Sequence, residues 1–483
     1  MIQGKLYPSE RRRTMKRSKR KTWVRLDNAS NIFLAAMTDF DTKVFRLSAA
    51  MEDSIDPEFL QQALDKTFES YLLYHSVLRR GVFWYYLEES DLKPRVMLDE
   101  QPPCSQLYHY DRKELLFRVI YYQNRIHLEV FHALSDGTGA LWFFEDLLSE
   151  YVLLRYAHPS TELKEENSRS RHLIEQMNTD SFIHYFRQKG QRSYTEATQS
   201  AIRKLTGASK TVGKFALRYG KKAIQYETAP EQKDAKKKKV YHVKGKRTID
   251  NRTHVIELEM PVQPVVALAH EQQASLTIYL TALFMEAIRK TDSTVQNGMT
   301  IAVSVPVNLR QFYYSNSARN FFSTTRLEYT YDSAEETTLA NICKTLKEQL
   351  QQQLSPDSLE KRLNNLIAYE FNPFTRVIIR PIKDVVLKAI NYFNNRGLTF
   401  AMSNLGKVHL PPGIDEKVHQ FYFQTSAVRP QFCVISHHNH LSICLNSPFI
   451  ETTISKQFVR DLTALGIPVT ISANKISEIN SEE

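Results

Sequence analysis

Apolar and polar positions alternate with a period of two, then of about 3.6, then of two again between Trp23 and Tyr156, which is the pattern of a mixed α/β unit. Lys43–Ala50 (KVFRLSAA) alternates as a strand, Pro57–Leu73 reads as an amphipathic helix with Pro in its first turn, and FWYYLEE, PRVML, LFRVIYY and IHLEVF follow as strands. Thr138–Tyr156 is then predicted as a helix with Leu141, Phe144, Leu148, Tyr151 and Val152 on one side. Residues 157–250 break the pattern, with few apolar clusters and many Ser, Thr, Gln and Lys, and read as a linker or insertion. A second α/β set begins at Val255. IELEM is a strand, Pro264–Ala274 and Ser275–Lys290 are helices with Ser275 as N-cap, and TIAVSVPVNLR and TTRLEYTY are strands. Helical patterns fill about 335–395. LTFAMSNLG, HQFYFQTS, QFCVISH and HLSICLNS then read as strands, Lys456–Leu465 as a helix and PVTIS as a last strand. The expected fold class is α/β, divided into a tail (1–22), a first lobe (23–156), an insertion (157–250) and a second lobe (251–483).

Charge changes this picture at two places. The net charge of +11 over 483 residues hides a polarised distribution. Residues 1–25 hold ten Lys/Arg and one Glu, and 185–247 hold eighteen Lys/Arg and four acids, leaving 36 basic against 48 acidic residues elsewhere. In ASKTVGKFALRYGKKAIQY, helical spacing puts Val212, Phe215, Ala216, Tyr219 and Ala223 on one face and Lys210, Lys214, Arg218 and Lys221 on the other. An interfacial helix on anionic lipid, a helix packed on the protein's own acidic body, and a solvated insert all fit that segment. Nucleic acid would accept the charge, but no recognition module accompanies it, so no specific nucleic-acid partner is expected. Four cysteines (Cys104, Cys343, Cys433, Cys444) without a C-x-x-C pair, no secretory h-region and no apolar run of eighteen residues imply a cytoplasmic setting, with peripheral attachment at an inner membrane face as an extension of it.

The candidate chemistry lies in FHALSDGTG, where the IHLEVF strand delivers His132 to a loop, Asp136 and Gly137 follow, and a helix begins. Such a strand can hold an imidazole as a general base. Asp136 has two open roles: a catalytic acid, or an internal tie that also caps the helix and needs a cationic partner because an unpaired buried carboxylate is costly. Arg79 in HSVLRRG, placed after the apolar Val77–Leu78 pair, is the best candidate partner, with a surface arginine as the alternative reading. SHHNHLS (436–442) gathers three histidines, but alternation along a strand sends neighbours to opposite faces, so a hairpin turn is expected there and no metal. Gly137 and Gly139 do not open a phosphate loop, since Trp stands at 142.

The run helix, H-S-V-L-R, strands, H-A-L-S-D-G, helix resembles the acyl-CoA-dependent acyltransferases with the chloramphenicol acetyltransferase fold, among them condensation domains, plant BAHD acyltransferases and wax ester synthases. PVNLR (306–310), RNFFS (319–323) and SNLG (403–406) look most like the alcohol acetyltransferase-like branch. The resemblance implies two lobes of mixed β-sheet with flanking helices and an active-site tunnel at their interface. It implies His132 as catalytic base, Asp136 as structural acid paired with Arg79, and Gly137 as the small turn residue. Asn320, Ser403 and Asn404 are then candidates for the oxyanion or the tunnel wall, with turn or loop-ordering roles as their alternative. No bound cofactor is implied; a coenzyme A thioester is the co-substrate, and an alcohol or lipid is the acceptor. Phe131 stands where condensation domains place a second histidine, which favours alcohol acylation over peptide condensation. A carrier-protein-bound donor, or a non-catalytic membrane or partner adaptor with the same fold, are the rival readings.

Overall fold

The alternating runs of the first half close on a strand that is buried on both faces. The computed structural model describes residues 23–156, 239–331, 337–371 and 380–474, apart from 27, 249, 251, 296 and 297. The expected basic tail and the amphipathic segment around 208–226 lie outside these residues. The first stretch runs β1 (Trp23–Arg25), α1 (Asn28–Ala36), β2 (Val44–Met51), α2 (Pro57–Ser70), β3 (Ser76–Arg80), β4 (Tyr85–Glu89), β5 (Val96–Leu98), β6 (Phe117–Tyr122), β7 (Arg125–Phe131) and α3 (Gly137–Tyr156). The second runs β8 (Lys239–Val240), β9 (His254–Pro261), α4 (Val262–Glu271), α5 (Leu276–Thr291), β10 (Met299–Asn308), β11 (Phe322–Tyr331), α6 (Leu339–Gln353), α7 (Pro356–Phe371) and α8 (Arg380–Asn395). It ends with β12 (Phe400–Val408), β13 (Val418–Thr425), β14 (Gln431–His437), β15 (His440–Ser447), α9 (Thr453–Ala464) and β16 (Thr470–Ala473).

Three sheets result among the described residues: β1-β4-β3, the five-stranded β13-β2-β7-β6-β5, and a large mixed sheet β11-β10-β12-β14-β15-β9-β16 with β8 beside β10. In the five-stranded sheet β2 lies between β13 and β7 and every residue of it is buried, which is why its sequence is nearly continuous in apolar side chains. The one charge in it, Arg46, is held by Glu129 at 2.7 Å and Asp99 at 2.6 Å. Helix α2 begins where expected because Asp56 Oδ1 accepts from the Glu58 and Phe59 amides, and Pro57 lacks the N–H the first turn cannot use. It ends at Ser70, three residues short of the predicted Leu73, and a 3₁₀ turn over Leu72–His75 leads into β3. Ser275 caps α5 through the Ile278 amide, as its position suggests.

The mixed sheet is parallel along β10, β12 and β14 and antiparallel at its flanks. Helices α5, α6 and α9 cover it around Phe284, Phe432 and Phe458. Strand β13, which follows β12 in sequence, leaves this sheet and pairs antiparallel with β2, from Thr425 opposite Phe45 to Val418 opposite Met51. The two halves are therefore tied by backbone hydrogen bonds. One core cluster accordingly mixes first-half residues such as Leu47 and Phe144 with Phe421, Cys433 and Ile435.

Candidate functional site

The imidazole of His132 is positioned by both halves. Its backbone amide, one residue past β7, donates to the Lys43 carbonyl at 2.8 Å, which fixes the strand end. Its ring stacks on Phe33 at 4.2 Å between centroids and meets the edge of Phe45 at 5.1 Å and the tilted ring of Phe322 at 5.7 Å. Phe131, the residue before it, is 0% exposed and stacks on Tyr108, so the strand sends these neighbours to opposite sides.

Asn320 decides which ring nitrogen carries the proton. Its amide nitrogen donates to the His132 carbonyl at 2.9 Å and to Ser30 Oγ at 3.0 Å, and Ser30 in turn donates to the Ala133 carbonyl at 3.0 Å. A carbonyl can only accept, so the nitrogen end of Asn320 is the one facing it. The Asn320 oxygen then lies 3.2 Å from His132 Nδ1, which must donate the proton of that contact. Nε2 is left as the acceptor of the neutral ring and has no hydrogen-bond partner among the described residues. Burial pushes the His132 pKa below its ordinary value; the Asp136 charge and the Asn320 contact pull the other way without cancelling it. A neutral imidazole with a free Nε2 is the form a general base requires.

Asp136 turns away from that ring. It is 4% exposed, its Oδ1 accepts from the Gly139 amide at 2.9 Å as a cap on α3, and its Oδ2 accepts from the Phe321 amide at 2.8 Å. The cation that meets it is Arg310, at 2.7 Å, and not Arg79. Arg79 lies on the β3–β4 ribbon and pairs with Glu88 at 2.7 Å, both partly exposed, because the ribbon is a separate three-stranded sheet that does not reach the motif. Arg310, at the end of the PVNLR run, also donates to the Ser317 carbonyl at 2.6 Å and the Arg319 carbonyl at 2.8 Å, and its guanidinium lies 5.3 Å from the centre of the Trp142 ring. A buried carboxylate of the first half is thus locked to a buried arginine of the second.

The glycines show how closely the halves approach. A Cβ on Gly137 would fall 2.6 Å from Leu405 Cδ2, a flexible methyl, whereas one on Gly139 would be driven into the Ala318 carbonyl oxygen and Ser135 Oγ. Gly139 is therefore the position without space, although Gly137 belongs to the motif.

The structure brings His132, Asp136, Gly137 and Asn320 together and leaves Arg79 apart. SNLG reaches the motif through Leu405. Asn404 is engaged elsewhere, donating to Thr277 Oγ1 on α5 at 3.1 Å and accepting from the Gly406 amide at 2.8 Å across a β-bulge; Ser403 pairs in register with Cys433. Arg310, Gly139 and Ser30 were missed. The signal for Arg310 was its place at the end of an apolar strand. Ser30 lies on α1, which the periodicity did not single out. SHHNH forms the expected β14–β15 hairpin, with His437 opposite His440. Strand alternation does not separate His437 from His438, because His438 adopts φ +49° in the turn and both imidazoles meet Asp415, with nitrogen-to-oxygen distances of 3.5 and 3.1 Å. Those three groups could hold a metal ion.

Residues 106–457 match the family model described as alcohol acetyltransferase. No curated protein sequence matches the chain significantly. Among solved structures the chain is similar to TRI101 of F. graminearum complexed with coenzyme A and T-2 mycotoxin (12% identity, 92% of this chain and 97% of that one, TM-score 0.55). It is similar to the TRI3 trichothecene 15-O-acetyltransferase of Fusarium sporotrichioides (8%, 92% and 94%, TM-score 0.54). It is also similar to the first condensation domain of the CDA synthetase (14%, 92% and 96%, TM-score 0.53). These likenesses are those of a two-lobed α/β acyltransferase fold.

Proposed function

Because the chain belongs to the alcohol acetyltransferase family and is an acyltransferase, we propose that it moves an acyl group from a coenzyme A thioester to an alcohol hydroxyl with His132 as general base. The observation that carries this reading is the Asn320 contact, which leaves Nε2 as the unprotonated nitrogen. Nε2 takes the hydroxyl proton as the acceptor oxygen bonds to the thioester carbonyl carbon. The tetrahedral intermediate collapses, the carbon–sulfur bond breaks, and the proton on Nε2 passes to the leaving thiolate, giving an ester and free coenzyme A. Asp136, tied to Arg310 and the Phe321 amide, holds the loop that carries the base.

The test is release of free thiol from acetyl-CoA and longer acyl-CoA donors against a panel of alcohols. The intact protein should release thiol in an acceptor-dependent manner, and His132→Ala should reduce the rate by about 10²–10⁴-fold, the contribution of general-base catalysis. Full activity in His132→Ala would remove His132 from the chemistry.

A further inference from the structure

Apart from the His132 site, one cleft gathers several arginines that have no ion-pair partner among the described residues. Where the start of β12, the end of α8 and the loop 426–430 meet residues 242–247, they line an open cleft of about 340 Å³ whose walls include His242, Arg247, Asn395, Arg396, Arg429 and Phe449. None of its three arginines has an ion-pair partner among the described residues. Arg247 lies over Phe40 at 4.8 Å, Arg396 over Tyr392 at 4.7 Å, and Arg429 donates to the neutral amide oxygen of Asn395. Arg429 is the partly buried one, while Arg247 and Arg396 are exposed. Burial pushes the Arg429 guanidinium down to about 10, opposed by Asp41 alone, and Asp41 is already engaged by the Lys43 side chain and by Ser426 Oγ at 3.1 Å.

A guanidinium partly withdrawn from water without a carboxylate in return is unfavourable, and an anion would complete it. Three forks in one concavity suit a phosphate, which presents several acceptor oxygens to planar donors. The volume sits at the low end of the range of about 300–1,000 Å³ that small-molecule sites occupy, room for a phosphate together with part of its organic substituent. Arg429 follows β13, and the Ser426 amide of the same loop donates to the Val44 carbonyl at 3.0 Å, next to the Lys43 carbonyl that holds His132. The cleft and the base thus share one backbone support while having separate walls.

We propose that this cleft is an anion site for a phosphate ester, with Arg429 at its floor and Arg247 and Arg396 at its rim. The acyltransferase reading enters only in naming the two sources of such an ester: the nucleotide end of the acyl-CoA donor, or a phosphorylated head group on the acceptor.

Calorimetric titration with adenosine 3′,5′-bisphosphate and with glycerol 3-phosphate, using the intact protein, His132→Ala, Arg429→Gln and the double variant Arg247→Gln/Arg396→Gln, tests it. At least one ester should bind the intact protein and His132→Ala equally, and both arginine variants should weaken it at least about tenfold, as loss of a charge-assisted hydrogen bond predicts. Preference for the bisphosphate assigns the donor end, and preference for glycerol phosphate assigns the acceptor end. The double variant removes only exposed side chains, so it remains informative if Arg429→Gln unfolds. Unchanged affinity in the folded double variant, or no binding of either ester by the intact protein at millimolar concentration, overturns the site. Binding that persists in a His132→Ala protein of full activity would instead sink the proposed base and leave the site standing.

Discussion

Asn320 and Arg310 act on neighbouring atoms of one loop and should fail in different ways. Asn320 touches the ring of the proposed base, so Asn320→Ala frees its tautomer and orientation. The expected result is a fall in turnover of about 10–100-fold, the range in which partners that orient a histidine matter. Burial keeps the His132 pKa below its ordinary value, so activity in the intact enzyme should rise with pH through a midpoint below about 6.5 and stay level above it. A pH–rate profile measures both effects, and a midpoint above 7 would contradict the buried neutral base. Arg310 touches no reacting atom. Arg310→Gln leaves Asp136 buried without its cation, which should cost about 3–5 kcal/mol of stability, whereas Arg79→Ala breaks a partly exposed pair with Glu88 and should cost about 0–1 kcal/mol. Urea melts of the two variants compare them directly. This pair also shows where the sequence misleads at this scale. An arginine after apolar residues suggests burial, and both Arg79 and Arg310 carry that sign, yet only the Arg310 side chain is buried. Only the packing of the β10 end against the motif distinguishes them, and that is set by residues more than 170 positions apart.

At the scale of elements, the strand–loop–helix around His132 was legible because each part has a local cause: an apolar strand, an Asp that caps, and a glycine-rich first turn. The glycines divide by what they face. Gly139→Ala should destabilise the protein by about 1–3 kcal/mol, the usual result of overpacking, because its Cβ meets a backbone carbonyl that cannot yield. Gly137→Ala should be milder, since Leu405 can change rotamer. Thermal unfolding of the two alanine variants reads the difference, and equal losses would mean that the Ala318 loop moves freely. Helix α1 was not legible. Its sequence, NASNIFLAA, is short and carries no charge pattern, yet it supplies Phe33 against the imidazole and Ser30 against Asn320. Its position comes from tertiary packing and not from propensity. Strand β13 was legible as a strand, but its sheet was not, because an apolar run is equally at home beside β2 or beside β14.

The whole molecule depends on the seam that β13 creates. Where the five-stranded and mixed sheets face each other, polar side chains meet in pairs: Gln420 with Ser442 at 2.7 Å, Gln424 with Glu257 at 2.6 Å, Tyr422 with Glu259 at 2.6 Å and Arg125 with Glu257 at 2.8 Å. His127 lies near this seam, buried, bonded to Ser48 Oγ at 2.7 Å and facing Arg46 and Arg125. Burial first, then those two arginines, holds its pKa well below the ordinary histidine value; burial lowers His132, His254 and His437 as well. In the unfolded chain each of these histidines gains its proton near pH 6.5, while in the folded protein it does so only at lower pH. Below about pH 6.5 the unfolded state therefore binds more protons, and folding stability falls as the pH falls. Their contribution is whole above that pH and is lost progressively beneath it, down to their lowered folded-state values. Melting temperatures measured from pH 7.5 to 5 should decline steadily across the lower half of that range. His127→Gln, which keeps a polar group near Ser48 but cannot titrate, should flatten the slope. A melting temperature independent of pH over this interval would mean that the buried histidines are not held neutral, and the proposal of an unprotonated base at His132 would fall with it.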